Sequence, residues 1–181
     1  MATPFFTELK EELKAGVSVK GHPFRFFTLG TVGLERMARL RTVVLRELTP
    51  ELQLIFYTDR RSKKILHIKE NNRVSLLFYH PEKLLQLKIE GIASIFTSDD
   101  KKKKVWQNLN AKSKKAYTSS MAPGSSITNF NEIEYLKKED FFCWVEVEPF
   151  KIEYLKLSEP HHTRIRFSRM DTDWESEFLV P

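Results

Sequence analysis

The sequence has a single cysteine, Cys143, among its 181 residues. One cysteine excludes an internal disulfide and any zinc site built from several cysteines of one chain, and it suits a reducing compartment. No apolar run approaches the roughly 20 residues that cross a bilayer, and the first residues lack the basic and apolar regions of a signal peptide. We therefore expect a cytoplasmic protein without a membrane partner.

The motifs of common catalytic sites are also missing. The sequence contains no H-E-x-x-H, no G-x-S-x-G, no Walker loop and no Rossmann glycine fingerprint. Neighbouring His161 and His162 would point to opposite sides of a strand, which is a poor arrangement for one metal ion. Cys143 lies in an apolar segment, which is typical of a core cysteine rather than of a nucleophile. We expect no metal site, and these motifs identify no catalytic residue.

The sequence does have positive charge and many aromatic residues. The net charge is +6, and there are 14 phenylalanines. A basic balance favours partners that carry phosphate, such as nucleic acid, an anionic membrane or a phosphorylated cofactor, but it also serves solubility alone. The phenylalanines predict an aromatic-rich core, and the length suits one domain.

Short apolar segments separated by turn residues predict a mostly β protein with a few helices. Phe5, Phe6, Leu9 and Leu13 recur at helical spacing, which predicts an amphipathic helix that ends near Gly16. Further helices are expected at residues 62–70, 99–116 and 132–138. Strands are expected at residues 24–31, 39–48, 52–58, 73–79, 84–96, 141–148, 151–157, 164–169 and 174–180, with a bulge at Gly91. Many short antiparallel strands with few helices indicate an α+β barrel.

Three groups of polar residues stand at the ends of neighbouring elements. They are Arg41 and Arg46 on an apolar strand, Tyr57 and Thr58 at the end of the next strand, and Ser62, Lys63 and Lys64 at the start of a helix. If residues 39–58 form a hairpin, the three groups converge at one end. A helix N-terminus with free amides, a hydroxyl and lysines is a natural phosphate site, and arginine adds bidentate hydrogen bonds. The alternative is that the two lysines are simply exposed.

A run of four lysines, at residues 101–104, is the other basic feature. On a helix such a run is usually a solvated face. A nucleic-acid patch is the alternative, which the scarcity of intervening aromatic residues weakens. We expect no nucleic-acid partner.

The order and spacing of five segments resemble the pyridoxamine 5'-phosphate oxidase family over roughly residues 20–97. The segments are Arg41-Thr42-Val43-Val44-Leu45-Arg46, Phe56-Tyr57-Thr58, Ser62-Lys63-Lys64, residues 71–79 (NNRVSLLFY) and Gln86-Leu87-Lys88-Ile89-Glu90-Gly91. A weaker match continues through Ser125-Ser126 and Arg166-Phe167 to the C-terminus. Any one segment is a weak signal, whereas the ordered set is specific.

The resemblance implies a single-domain antiparallel split β-barrel with flanking helices. Its barrel core would span about residues 20–97, followed by a helical insertion at about 98–140 and C-terminal strands at about 141–181. It also implies a homodimer with FMN at the subunit interface. The cofactor residues that it implies are Arg41, Thr42, Val43, Val44, Arg46, Tyr57, Thr58, Lys63, Lys64, Gln86, Ser125 and Arg166.

Three of these residues have special roles by resemblance. Gln86 and Ser125 are expected to come from the partner subunit. Arg166 matches an arginine near the flavin ring, where a cation stabilises the negative charge of reduced flavin. The alternatives are a salt bridge between strands for Arg166 and a surface amide for Gln86.

The chain departs from the oxidase pattern where that enzyme holds its substrate. Arg46 stands where the oxidase has a lysine, and residues 106–117 do not reproduce its Tyr, Arg and Ser cluster. The oxidase carries Arg-x-His, whereas this chain has His162-Thr163-Arg164, and a flavin-flanking tryptophan is replaced around Leu155. The cofactor site is therefore expected to be retained and the vitamer site to be altered.

The leading hypothesis is an FMN-dependent oxidoreductase that transfers hydride between a small-molecule substrate and flavin N5. Arg46, His162 and Arg164 are the candidates for holding an anionic group of that substrate. The alternatives are a flavin-binding module without turnover, authentic pyridoxamine 5'-phosphate oxidase, and a barrel that binds nucleic acid. A related flavin such as FAD in place of FMN also stays open.

Overall fold

The structure, a computed structural model, describes residues 3–97, 100–137, 140–171 and 173–181. Within these ranges the helices are α1 (Thr3–Ser18), α2 (Lys63–Glu70), α3 (Asp100–Asn108) and α4 (Ala111–Lys115). The strands are β1 (Phe26–Val32), β2 (Ala38–Val44), β3 (Glu47–Leu48), β4 (Leu54–Asp59), β5 (Arg73–His80), β6 (Leu85–Phe96), β7 (Phe142–Lys156), β8 (Thr163–Met170) and β9 (Asp173–Leu179).

The strands form one sheet in the order β2-β1-β5-β6-β7-β4-β3, and β8 and β9 continue from β7. All pairings between these strands are antiparallel. The prediction of an α+β antiparallel barrel with flanking helices is confirmed. None of the helices in the described ranges combines the length and apolarity needed to span a bilayer.

The core is rich in phenylalanine, as the composition predicted. Alternate residues of the strands point inward, and in β5 they include Leu76 and Phe78, both fully buried. Phe78 stacks on Phe27 with ring centroids 4.9 Å apart, and Phe24 packs on Phe78 at 5.3 Å. The stacked rings join the strands to the segment that follows α1, so β1 and β5 form a rigid base for β2.

The prediction of one strand at residues 39–48 in a hairpin with residues 52–58 is only partly right, because the hairpin involves only the end of that segment. Strand β2 pairs with β1 and ends at Val44, whereas the two-residue β3 pairs with β4. Between them the backbone N–H of Leu45 donates to Arg25, and that of Arg46 donates to Ile55. The chain thus changes partners at Leu45, and this crossing brings the end of β2 beside β4.

Strand β7 is continuous, although separate strands were predicted at 141–148 and 151–157. Pro149 interrupts the alternating sequence pattern there. A β-bulge opposite Glu90 and Gly91 accommodates the proline within the strand, and a bulge at Gly91 was predicted. A Cβ on Gly91 would lie 2.7 Å from the carbonyl oxygen of Glu148, so only glycine fits this close approach.

The helical predictions after β6 are partly wrong. Two helices, α3 and α4, replace the predicted single helix, because the Asn110 side chain accepts from the Ser113 N–H and starts a new helix. A helix was also predicted at residues 132–138, but residues 133–137 are not helical. A short 3₁₀ turn at Phe130–Glu132 precedes them. Residues 98, 99, 138 and 139 lie outside the described residues.

Candidate functional site

A cavity of about 440 Å³ lies where the end of β2 meets the end of β4. Its lining combines basic, hydroxyl and aromatic side chains. The lining residues are Arg41, Thr42, Val43, Val44, Arg46, Tyr57, Thr58, Asp59, Lys64, Ala116, Tyr117 and Pro123. We call it the basic cavity.

Lys64 brings a positive charge from the first turn of α2 to the end of β4. Its Nζ donates to Thr58 Oγ1 at 2.9 Å. Ser62 is the N-cap of the helix, but its side chain makes no capping hydrogen bond. Since Ile65 and Ile68 bury the opposite side of α2, the N-terminus of the helix is fixed beside Thr58. The first amides of α2, the Ser62 hydroxyl and Lys64 therefore stand together as donors.

Arg41 is held from the other side by a chain of hydrogen bonds. Its Nη1 donates to Thr31 Oγ1 at 2.7 Å and to the carbonyl oxygen of Leu29 at 3.3 Å. Thr31 Oγ1 lies 3.0 Å from Nδ1 of the buried His67. Burial, with the nearby Arg41 charge, lowers the pKa of His67, which favours a neutral ring that shares a hydrogen bond with Thr31. The guanidinium is thus pre-oriented at the cavity.

Among the described residues, Arg41 and Lys64 of the basic cavity form no ion pair with a carboxylate. Burial lowers the pKa of Lys64, and the charge of Arg41 lowers it further. Burial also lowers the pKa of Arg41. Asp59 offsets this for Lys64 only in part. An anion between the two cations would reverse both effects, so the cavity is electrostatically suited to a phosphate.

The other end of the basic cavity is aromatic around Arg46. The Arg46 guanidinium lies 5.6 Å from the ring centre of Tyr57, and Tyr117 hydrogen-bonds to Arg46. Burial, with Glu47 as acceptor, raises the pKa of Tyr57, so its phenol is protonated and donates to Glu47. Arg46 Nε is buried without a hydrogen-bond partner among the described residues. A buried N–H without a partner is able to donate to an acceptor of a ligand in the cavity.

A sequence comparison bears directly on this cavity. The pattern that defines the family described as "Pyridoxamine 5'-phosphate oxidase, FMN-binding domain" matches residues 3–97, more than half of the 181 residues. The chain belongs to this FMN-binding family. The match confirms the resemblance found in the sequence, and FMN is the family's cofactor.

Relatives and solved structures agree with the family match. The pyridoxine/pyridoxamine 5'-phosphate oxidase of Vibrio cholerae is 27% identical over 167 residues, covering 85% of this chain and 78% of that protein. A pyridoxamine 5'-phosphate oxidase-related, FMN-binding protein of Nostoc punctiforme superposes with a TM-score of 0.81 at 24% identity, over 98% of each chain.

A second solved structure has the same fold. PhzG of Burkholderia lata, in complex with tetrahydrophenazine-1-carboxylic acid, gives a TM-score of 0.80 at 22% identity, over 97% of this chain and 92% of that chain. At these identities the two structures establish the fold alone. They confirm the split barrel that the sequence predicted.

The donor set of the basic cavity fits the cofactor of the pyridoxamine 5'-phosphate oxidase-like family. FMN carries a dianionic phosphate and a flat ring with several hydrogen-bond acceptors. Arg41 and Lys64 supply uncompensated charge for the phosphate. The unpartnered Nε of Arg46 and the aromatic rings of Tyr57 and Tyr117 supply a donor and apolar surface.

Most of the cofactor residues expected for the pyridoxamine 5'-phosphate oxidase-like family line the basic cavity together. They are Arg41, Thr42, Val43, Val44, Arg46, Tyr57, Thr58 and Lys64. Lys63 is exposed and lines a neighbouring cavity of about 570 Å³, which Arg41 and His67 also line. The two cavities share Arg41.

Gln86 and Arg166 do not line the basic cavity of their own chain. Gln86 pairs with Leu155, about ten residues or roughly 30 Å along β7 from the part that pairs with β4. Arg166 pairs with Glu153 in the sheet, and its guanidinium contacts Glu177, which is the salt bridge between strands named as an alternative.

Ser125 lines an adjoining cavity of about 180 Å³ that shares Asp59 and Pro123 with the basic cavity. The expected substrate residues are not gathered in one chain. His162 accepts at Nδ1 from the Ser158 N–H, and Arg164 pairs with Glu153 at 3.1 Å. Only Arg46 of that trio lines the basic cavity.

Sequence reasoning missed several residues that shape the site. Thr31 and His67 orient Arg41, Tyr117 contacts Arg46, and Arg61 holds the segment beside the cavity. These contacts join residues far apart in sequence, and no local pattern signals them. Cys143 fits its predicted role as an inert core residue, because burial raises the pKa of its thiol to about 12.

Glu12, His22 and His80 form a cluster of metal-ligating types that the sequence analysis did not foresee. Nε2 of His22 lies 3.3 Å from Glu12 Oε2. Each Nδ1 accepts a backbone N–H, of Phe24 for His22 and of Lys83 for His80. The hydrogen of each neutral ring therefore sits on Nε2, where a metal would need the lone pair. The cluster is better suited to anchoring α1, through Glu12, than to zinc.

Proposed function

We propose that the chain is an FMN-dependent oxidoreductase that works as a homodimer and transfers hydride between a small-molecule substrate and flavin N5. The observation that carries this proposal is the basic cavity, in which Arg41 and Lys64 form no ion pair with a carboxylate among the described residues. The family match supplies the identity of the anion as FMN.

Within this proposal Lys64, Arg41 and the first amides of α2 bind the phosphate of FMN. Lys63 adds charge from the neighbouring cavity. The strand end formed by Thr42, Val43 and Val44, with Tyr57 and Thr58, supports the rest of the cofactor. When bound, FMN supplies the hydride acceptor or donor at N5, and the protein supplies position and electrostatics.

The dimer is part of the proposal, because one face of the sheet is apolar and exposed. Phe26, Leu40, Leu77 and Tyr79 are 56%, 69%, 40% and 50% exposed. Phe26, Leu77 and Tyr79 alternate with buried residues on β1 and β5, and Leu40 of β2 pairs with the outward Gly30 of β1, so the four residues share the outward face. An exposed apolar face of this kind favours an interaction with a second protein surface.

The same face carries the cofactor residues that the basic cavity lacks. Gln86 and Arg166 occupy its outward positions on β6 and β8. If a second copy covers the face, these two side chains and Ser125 become available to the cavity of the partner. Arg166 would then bring positive charge toward the flavin and stabilise its reduced form.

The substrate in this proposal carries an anionic group. Arg46 has a buried N–H without a partner, and it lies against aromatic side chains. An arginine edge of this kind suits a carboxylate or a phosphate. His162 and Arg164 would join Arg46 only after giving up Ser158 and Glu153, which they contact in this structure.

Those contacts favour a second candidate, a flavin-binding module without turnover. Arg164 and Arg166 are both engaged by carboxylates, of Glu153 and Glu177, instead of facing a substrate. Authentic oxidation of pyridoxamine 5'-phosphate is the narrower alternative. The Vibrio cholerae relative carries that name at 27% identity, while Arg46 and residues 106–117 depart from the expected substrate site.

The proposed function is tested by the absorption spectrum of the purified protein and then by reduction of the bound flavin. The purified protein, reconstituted with FMN, should show the absorption of bound flavin, and the released cofactor should be FMN. Anaerobic mixing with NADH, NADPH and pyridoxamine 5'-phosphate should then bleach the flavin with at least one donor, and air should restore it. Bound flavin that no donor reduces would favour the module without turnover. A protein that stays colourless with excess FMN would overturn both readings.

A further inference from the structure

Arg61 lies between β4 and α2, and its guanidinium forms hydrogen bonds with one carboxylate and three backbone carbonyls. Its Nη2 donates to Asp59 Oδ2 at 2.7 Å, and its Nε donates to Asp59 Oδ1 at 3.1 Å. The guanidinium also lies 3.2 Å from the ring centre of Phe141. The side chain is 20% exposed, and that of Asp59 is 3% exposed. Arg61 is therefore locked in one orientation by a buried carboxylate and an aromatic ring.

In that orientation Arg61 holds three consecutive backbone carbonyls of a distant segment. Nη2 donates to the carbonyl oxygens of Ser119 at 2.8 Å and Met121 at 3.2 Å, and Nη1 donates to Ser120 at 3.2 Å. The segment lies about 60 residues farther along the chain. We call residues 119–125 the covering segment.

The covering segment borders the basic cavity. Its Pro123 lines the basic cavity, and its residues from Ala122 to Ser125 line the adjoining cavity. Asp59, the carboxylate that fixes Arg61, lines both cavities. Arg61 thus connects the end of β4, where Thr58 meets Lys64, to the segment that closes the cavity on that side.

The first half of the covering segment is held by Arg61 and by a backbone bridge between Ser119 and Tyr135, whereas its second half bonds within the segment. The Ser120 N–H donates to Glu134, and Ser119 Oγ and the Ser125 N–H bond to carbonyls within the segment, of Met121 and Ala122. Gly124 has a positive φ of 87°, a conformation that glycine adopts easily. A turn with mostly internal bonds moves as a unit when its attachment is lost.

We propose that Arg61 is a positioning residue that keeps the covering segment closed over the cofactor, and that this closure slows the release of FMN. The inference rests on the proposed function, since it takes FMN as the ligand of the basic cavity. Arg61 itself does not line that cavity and acts through residues 119–123. A planar guanidinium serves five acceptors at once, which the single ammonium of lysine cannot do.

The test compares Arg61→Ala and Arg61→Lys with Arg60→Ala, since Arg60 is exposed and lies next in the chain. The rate of FMN release is measured by the return of flavin fluorescence on dilution. We expect release to accelerate roughly tenfold in Arg61→Ala, to stay fast in Arg61→Lys, and to stay at the wild-type rate in Arg60→Ala.

Hydrogen exchange of residues 117–136 gives the second readout, in the apoprotein and with FMN. Exchange should accelerate in the covering segment of Arg61→Ala while β4 and α2 keep their protection. Faster release without faster local exchange, or an unchanged release rate in a folded variant, overturns the proposal. Arg61→Gln replaces Arg61→Ala if the latter does not fold. A wild-type protein that binds no FMN overturns the proposed function instead, and the exchange of the apoprotein still tests the anchor.

Discussion

At the scale of single residues, hydrogen bonds hold the positive charges of Arg41 and Lys64 in a fixed orientation. Thr31 ties Arg41 to the neutral His67, and Thr58 accepts from Lys64. Neither cation is paired with a carboxylate that cancels its charge, and the pKa of each is lowered by burial. Pre-orientation reduces the entropy that is lost on binding, so we expect these residues to set the affinity for the proposed phosphate.

Replacing Arg41 by alanine should weaken FMN binding. The loss of one charge-assisted contact of about 1.5–3 kcal/mol raises the dissociation constant roughly 10- to 100-fold. Fluorescence titration of the apoprotein measures this constant. Arg60→Ala removes a nearby exposed arginine and should leave it unchanged. Equal affinities of Arg41→Ala and wild type would mean that Arg41 is not a phosphate ligand.

At the scale of elements, helix α1 is attached to the barrel by carboxylates. Glu8 accepts from the Tyr154 hydroxyl and from Lys156 Nζ, each at 2.7 Å, and Glu12 contacts Lys83. Burial acts to raise the pKa of Glu8, but the hydrogen bonds from Lys156 and Tyr154 outweigh it and the pKa is lowered. The contribution of Glu8 to stability is therefore present at neutral pH and is lost as the pH falls below about 4.5 through its folded-state pKa.

Glu8→Gln should lower the melting temperature at pH 7, because it removes the ion pair with Lys156. The decrease should be only about 1–3 °C, because a partly exposed ion pair stabilises a protein less than a buried one. The difference from wild type should shrink as the pH falls through the lowered folded-state pKa of Glu8, because the wild-type carboxyl then becomes neutral as well. Scanning calorimetry at several pH values measures it. Glu11→Gln, on the exposed side of the same helix, should show no such pH dependence. A constant difference at all pH values would exclude the charge as its cause.

The elements also show how far the sequence could predict the site. The end of β4 and the first turn of α2 were readable, because a strand end and a helix start have local patterns and Thr58, Ser62 and Lys64 stand close in sequence. The change of partner at Leu45 was not readable, since one apolar run supplies both β2 and β3. The contacts of Arg61 could not be predicted either. Its acceptors are backbone carbonyls about 60 residues away, and every residue type has such a carbonyl.

At the scale of the whole molecule, the residues expected to bind the cofactor fall into two sets. Arg41, Lys64 and their neighbours line the basic cavity, whereas Gln86 and Arg166 lie on the exposed face. One chain does not bring the sets together. The proposed dimer would join them and would cover Leu77 and Tyr79 in the same step. Dimer formation and FMN affinity should therefore change together.

Leu77→Glu tests this coupling. A charge at the centre of an apolar interface is costly, so the variant should run as a monomer in light scattering and should bind FMN at least roughly tenfold more weakly. Lys88 is the cross-strand neighbour of residue 77, so its ammonium group can pair with the new glutamate in the monomer, and we expect the variant to fold. Val19→Glu adds the same charge at an exposed apolar residue outside the sheet. A monomeric variant that keeps full FMN affinity would argue against a shared site.

The most direct test of the account compares FMN with riboflavin, which has the same ring and lacks the phosphate. Titration of the wild-type apoprotein should give FMN at least roughly 100-fold tighter binding than riboflavin, and Lys64→Met should narrow that ratio while Lys69→Met, at the exposed end of α2, keeps it. Riboflavin binding as tightly as FMN, or a ratio that Lys64→Met leaves unchanged, would contradict the claim that the basic cavity is built around a phosphate.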